Sequence, residues 1–107
     1  MGWLRRRRAK RETPAQRAAL DAGERHLDEF FRTRQGVEAF VEQPTSLTRP
    51  SLLLIAHDGE WTRRSVASVS VARRFAADRG LPSYDAGVVP YPQRMRDYND
   101  RVRGAKG

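Results

Sequence analysis

The feature that most restricts the fold is an apolar run, Leu52-Leu53-Leu54-Ile55-Ala56, followed at once by His57-Asp58-Gly59-Glu60 and then by Trp61 to Val66. A short, unbroken apolar run bounded by turn residues reads as a central strand covered on at least one face. Asp-Gly between two strand-like runs is the strongest short-range hairpin signal, because the tight primed turn needs positive φ at both central positions. With Asp58-Gly59 as a two-residue turn, the register follows. His57 faces Glu60, Ala56 faces Trp61, Leu54 faces Arg63 and Leu52 faces Ser65. Trp61 and Arg63 then project to one face.

Helices flank this hairpin. Thr13-Pro14-Ala15-Gln16 is a helix start, with Thr13 as cap, Pro14 at the first helical position and Gln16 completing the S/T-x-x-E/Q box. Leu20, Leu27, Phe30 and Phe31 then recur at helical spacing, and Asp21–Arg25 and Asp28–Arg32 are i,i+4 pairs on the remaining surface. Gln35-Gly36 ends the helix through a left-handed glycine. Val37, Ala39 and Val41 alternate with Glu38, Phe40 and Glu42, the pattern of a half-exposed strand. Gln43 to Pro50 is a loop. A second helix runs from about Ser68 to Arg79 and stops at Gly80, with Val71/Phe75 and Ala72/Ala76 as its apolar stripe. Tyr84 to Val89 is a fourth short strand, closed by Pro90 and Pro92. Met95, Tyr98 and Val102 fall at helical spacing near the C-terminus. The fold class is therefore α+β, a small three- to four-stranded sheet with two helices on one face, order α-β-β-β-α-β, plus a short C-terminal helix. The division is a basic disordered tail over 1–12, one α+β domain over 13–91, and a basic C-terminal helix or tail over 92–107.

The charge is distributed unevenly. The 107 residues carry a formal net charge of +8. Residues 1–11 hold six basic groups (Arg5, Arg6, Arg7, Arg8, Lys10, Arg11) and no acid. Residues 94–107 hold five (Arg94, Arg96, Arg101, Arg103, Lys106) against Asp97 and Asp100, while the stretch between sets ten Arg against eleven acids. A near-neutral body with basic ends differs from a domain that reads nucleic acid with its own surface; it reads as a fold bearing electrostatic handles. Lys10 and Lys106 are the only lysines, and this Arg bias reflects GC-rich coding more than binding chemistry. Without cysteine there is no disulfide, thiolate zinc site or thiol nucleophile. No apolar run reaches the roughly 18 residues of a membrane span. Met1-Gly2-Trp3-Leu4 before four Arg fits neither a secretory signal, for want of an apolar core, nor myristoylation, because Arg6 stands where Ser or Thr is needed.

Two resemblances bear on the reading. The order α-β-β-β-α resembles the double-stranded RNA-binding domain in topology. That family carries a basic cluster at the start of its second helix, whereas this helix opens Ser68-Val69-Ser70-Val71 and reaches Arg73-Arg74 a turn later. The segments Gly36-Val37-Glu38-Ala39-Phe40-Val41-Glu42, Asp58-Gly59-Glu60-Trp61-Thr62-Arg63-Arg64 and Tyr91-Pro92-Gln93-Arg94-Met95-Arg96-Asp97-Tyr98 are similar to those of short actinobacterial proteins with no assigned activity. The similarity covers roughly residues 36–98. It implies an intracellular bacterial protein, hence a cytoplasmic one, and transfers no mechanism.

The catalytic inventory is thin. His26 lies inside the first helix and reads as a surface or boundary residue. His57, Asp58 and Glu60 cluster at the hairpin, but neighbouring strand residues point to opposite faces and turn acids serve turn geometry. Nucleophile elbow, phosphate loop and dinucleotide fingerprint are all absent. The expectation is a chain that is not an enzyme and uses no cofactor and no metal. The suggestive patch is Trp61-Thr62-Arg63-Arg64, since an aromatic beside Arg on a sheet holds single-stranded nucleic acid by stacking and phosphate pairing. The competing reading packs Trp61 against Ala56 and Leu54 under a helix, with Arg63 at the edge.

The leading functional expectation is a non-enzymatic accessory protein that contacts nucleic acid or a ribonucleoprotein. Arg5, Arg6, Arg7, Arg8, Lys10 and Arg11 form the principal contact, with Arg94 and Arg96 at the other end and Trp61, Arg63 and Arg64 on the body. Nine excess end charges on phosphate would give a log–log salt slope of about −6 to −8. The alternative is a protein–protein adaptor using the sheet or the C-terminal stripe. A third is weak association with an anionic membrane surface through residues 1–11, with Trp3 and Leu4 inserted.

Overall fold

The computed structural model describes residues 12–106. The first helix, α1 (Pro14–Thr33), starts on the capping box. The Gln16 N–H donates to Thr13 Oγ1 (3.1 Å) and the Thr13 N–H donates to Gln16 Oε1 (2.8 Å). Its buried side is Gly23, Leu27 and Phe30. The helix stops at Arg34, which is extended and donates its N–H to the Phe30 carbonyl. Gly36 then takes φ +61°, and a Cβ there would lie 2.8 Å from the Cβ of His57, so glycine is needed both for conformation and for space.

Four strands follow: β1 (Glu38–Glu42), β2 (Ser51–Ile55), β3 (Trp61–Ser65) and, after helix α2 (Val69–Asp78), β4 (Ser83–Asp85). They form one sheet in the order β3-β2-β1-β4. The pairs β1–β2 and β2–β3 are antiparallel and β1–β4 is parallel, so the sheet is mixed. The expected order α-β-β-β-α-β with a trailing helix, α3 (Gln93–Lys106), holds throughout.

The hairpin forms where Asp-Gly places it, but its register differs by one residue. Ile55 faces Trp61, Leu53 faces Arg63 and Ser51 faces Ser65. The loop has three residues rather than two: the Ala56 N–H donates to the Glu60 carbonyl (2.8 Å) and the Gly59 N–H to the Ala56 carbonyl (3.0 Å). Gly59, at φ +93°, is the extra residue of a glycine bulge. Because side chains alternate with a period of two, this single residue moves Trp61 and Arg63 to the opposite face of the sheet.

Both faces are covered. On one, Ala39, Val41, Leu52, Leu54 and Ala56 pack under α1 and α2 against Leu27, Phe30, Ala72, Phe75 and Ala76. On the other, Phe40, Leu53 and Ile55 pack against Met95 of α3, flanked by Trp61, Tyr84 and Tyr91. The half-exposed reading of β1 is corrected accordingly. Phe40 is 2% exposed, its ring 5.2 Å from those of Tyr84 and Tyr91, because α3 covers the face that the Glu38/Phe40/Glu42 alternation assigns to solvent.

One further boundary differs from the sequence reading for a local reason. β4 ends at Asp85, where Oδ1 accepts from the Gly87 N–H and the backbone carbonyl accepts from Val88 and Val89, turning the chain before a longer strand can form. Gln43 Nε2 also donates to Asp85, and the Gln43 and Gly87 bonds hold this carboxyl below its usual range. α2 opens on Ser68, whose Oγ accepts from the Val71 N–H (3.1 Å), and closes before Gly80 at φ +67°.

Candidate nucleic-acid interface

Six of the expected contact residues, Arg5, Arg6, Arg7, Arg8, Lys10 and Arg11, lie outside the described residues. The others are placed as follows. Trp61 is half-buried beneath α3, and its Nε1–H donates to Asn99 Oδ1 at 2.8 Å. It packs under a helix, though on the Leu53/Ile55 face and not against Ala56 and Leu54. Arg63 makes two hydrogen bonds to Glu42 (2.8 and 2.9 Å), with its guanidinium 5.6 Å from the Trp61 ring centre. The Glu42 carboxylate raises Arg63 above its ordinary pKa. The Tyr91 hydroxyl donates to the same carboxylate, and burial, followed by Glu42, pushes Tyr91 up to about 12. The Trp61–Arg63 pair is therefore engaged by Asn99 and Glu42 before any base or phosphate arrives.

The C-terminal arginines are largely occupied too. Arg94 Nε donates to the Ala56 carbonyl (3.0 Å), and its guanidinium pairs with Glu38. Arg96 is held by Gln93 Oε1 (2.7 and 3.0 Å) and by the Tyr91 carbonyl. Arg101 donates to the Asp58 carbonyl (2.8 Å), and Arg103 pairs with Asp100. The Arg94 and Arg101 bonds clamp α3 across the hairpin loop. The clamp depends on Gly59, where a Cβ would overlap the carbonyl of Arg94 and lie 2.9 Å from the Cβ of Tyr98.

The hairpin polar residues are likewise committed to structure. Glu60 receives Arg34 through two hydrogen bonds (2.6 and 3.2 Å), which raise Arg34 above its ordinary pKa, and the Arg34 guanidinium sits 4.7 Å from the Phe30 ring centre. Asp58 Oδ1 accepts from the Glu60 N–H, and His26 Nε2 bonds Thr62 Oγ1 at 2.8 Å. Among the described residues, no three His, Asp or Glu side chains are grouped to hold a metal ion.

Arg64 points the other way, toward α1. Its stem lies against Gly23, where a Cβ would be 3.4 Å from the Arg64 Cβ. There it lines a depression of about 340 Å³ with Arg49, Ser65 and the Gln16, Ala19 and Leu20 side of α1. No carboxylate lines this depression. A larger groove of about 1130 Å³ between α1 and α2 differs in kind: Asp21, Glu24, Asp28, Glu29 and Asp78 line it alongside Arg25, Arg32, Arg74 and Arg79. Arg49 is absent from the sequence reading because nothing in its spacing links it to Arg64. The true register would have found it: the Val66 N–H donates to the Pro50 carbonyl (3.0 Å), one step beyond the Ser51–Ser65 pair.

The same end of the sheet exposes Leu47 (93%) in the β1–β2 loop and Val88 (80%) after β4. Among the described residues, no helix is long and apolar enough to cross a membrane. Comparison of the chain with protein-family models, curated proteins and solved structures finds no match in any of the three.

Proposed function

We propose that the chain is a non-enzymatic accessory protein that contacts nucleic acid, free or in a ribonucleoprotein, through the basic segment 1–11, with the folded body as a fixed platform. The observation that carries this is the distribution of positive charge along the chain. Residues 1–11 hold six cations and no acid, whereas on the body Arg63 and Arg94 are paired with Glu42 and Glu38. Arg101 donates to the Asp58 carbonyl and Arg103 pairs with Asp100, which leaves the six cations of residues 1–11 as the principal phosphate contacts. Six phosphate contacts correspond to a log–log salt slope of about −4 on single strands and about −5 on duplex.

The test is a salt series with a mixed-sequence RNA and a DNA duplex, comparing the native chain with the Arg5→Gln/Arg6→Gln/Arg7→Gln/Arg8→Gln variant. Steep salt dependence that collapses in the variant supports the proposal. Binding that is absent at low salt, or unchanged in the variant, removes it, and search would turn to a protein partner. A second reading, weak association with an anionic membrane surface, rests on Trp3 and Leu4 preceding the Arg run of the same segment. It predicts binding to anionic vesicles that is lost when Trp3 and Leu4 become Ala.

A further inference from the structure

We infer that the depression between α1 and β3 seats a phosphate of the bound strand, with Arg49 and Arg64 as its ligands, so that the body sets the path of nucleic acid leaving the tail. The inference rests on the nucleic-acid reading above and adds a second contact region to it. Four observations carry it. First, the two guanidinium-bearing residues line the same depression, and neither forms a salt bridge with any described residue. Their positive potential is therefore not cancelled locally, and the mutual repulsion of two neighbouring cations is relieved by an anion between them.

Second, the lining is otherwise Gln16, Ser65, Ala19, Leu20 and Gly23, which offers hydrogen-bonding groups and no carboxylate to repel a phosphate. The larger α1–α2 groove, with five acids, is the wrong place for one. Third, Arg64 is preorganised. Its stem rests on Gly23, its Nη1 donates to the Arg63 carbonyl at 2.8 Å, and Arg49 is half-buried, so less side-chain freedom is lost on binding. Fourth, the depression adjoins the first turns of α1, and Arg11 is only a few residues before Gln16 in the chain. The basic segment therefore joins the folded body at the end of α1 that lines the depression.

The test uses the full chain and a mixed-sequence single-stranded RNA. Two phosphate contacts add about 1.4 to the magnitude of the salt slope, taking it from about −4 to about −5.6. The Arg49→Gln/Arg64→Gln variant is expected to lose that increment. Its fall in affinity between about 50 and 200 mM salt should then be roughly sevenfold smaller than for the native chain. Arg49→Lys/Arg64→Lys keeps the charge and should keep the slope. Because Arg49 is half-buried, the exposed Arg64→Gln alone serves as the variant that leaves packing intact, with half the effect. Arg74→Gln, in the acid-lined groove, should leave the slope at its native value.

A double variant with the native slope overturns the inference, as does an Arg74→Gln variant that lowers it equally. If the tail variant loses binding while the double variant does not, the depression fails and the tail reading stands. If the native chain binds no RNA, both fail. If the double variant loses only binding to vesicles of phosphatidylserine and phosphatidylcholine, the depression belongs to a membrane-facing surface and the inference is overturned.

Discussion

Gly59 and Gly80 form a natural pair for separating backbone strain from steric exclusion. Both have positive φ, +93° and +67°. At Gly80 a Cβ would meet no atom within 4 Å, whereas at Gly59 it would overlap the Arg94 carbonyl oxygen and lie 2.6 Å from the carbonyl carbon. Gly80→Ala therefore carries only the left-handed penalty, about 1–2 kcal/mol. Gly59→Ala carries the same penalty and also displaces α3. The displacement exposes Met95, now 9% exposed, at about 2 kcal/mol, and breaks the Trp61–Asn99 bond, at about 1 kcal/mol. The total is about 4–5 kcal/mol. Urea denaturation of the two variants measures the difference directly, and it should be about 3 kcal/mol. Near-ultraviolet dichroism should report a change around Trp61 in Gly59→Ala alone. Equal destabilisation of the two variants, within about 0.5 kcal/mol, would refute the claim that the turn glycine is required by the helix docked on it.

Three other outcomes follow from the packing and the ionisations. Tyr91 has its folded pKa raised to about 12 from an ordinary 10.0, so its contribution to stability is present below about pH 10 and is lost as pH rises through 12. Urea midpoints measured across that range should fall more steeply for the native chain than for Tyr91→Phe, and parallel curves would contradict the burial of this phenol. Phe40→Ala, at the centre of the α3-covered face between Tyr84 and Tyr91, should cost about 3–5 kcal/mol by thermal or chemical unfolding. A loss under 1 kcal/mol would mean that this face is not a core. Thr13→Ala removes one arm of the capping box and should lower stability by about 1 kcal/mol, with amide exchange accelerating in the first turn of α1 and not in α2.

The division between sequence and tertiary structure runs along interaction range. The capping box at Thr13, the Ser68 cap, the stop at Gly80 and the existence of the Asp-Gly hairpin all depend on residues a few positions apart, and each was legible in the chain; the first helix instead stops on an extended Arg34, two residues before Gly36. The element order was legible too, because apolar periodicity is a property of each segment by itself. The hairpin register was not, since two- and three-residue loops both accept Asp58-Gly59, and the choice is made by the pairing of Ser51–Ile55 with Trp61–Ser65 and of both with β1. That single residue decided which face Trp61 and Arg63 occupy. The covered state of Phe40 depended on α3 lying across the second face, a contact that turns on Arg94 reaching Ala56 and on the bare backbone of Gly59. For the candidate site, the segregation of charge into residues 1–11 is written in the composition. The nearness of Arg49 to Arg64 is not, because it exists only once Pro50 and Val66 have been brought together by the sheet.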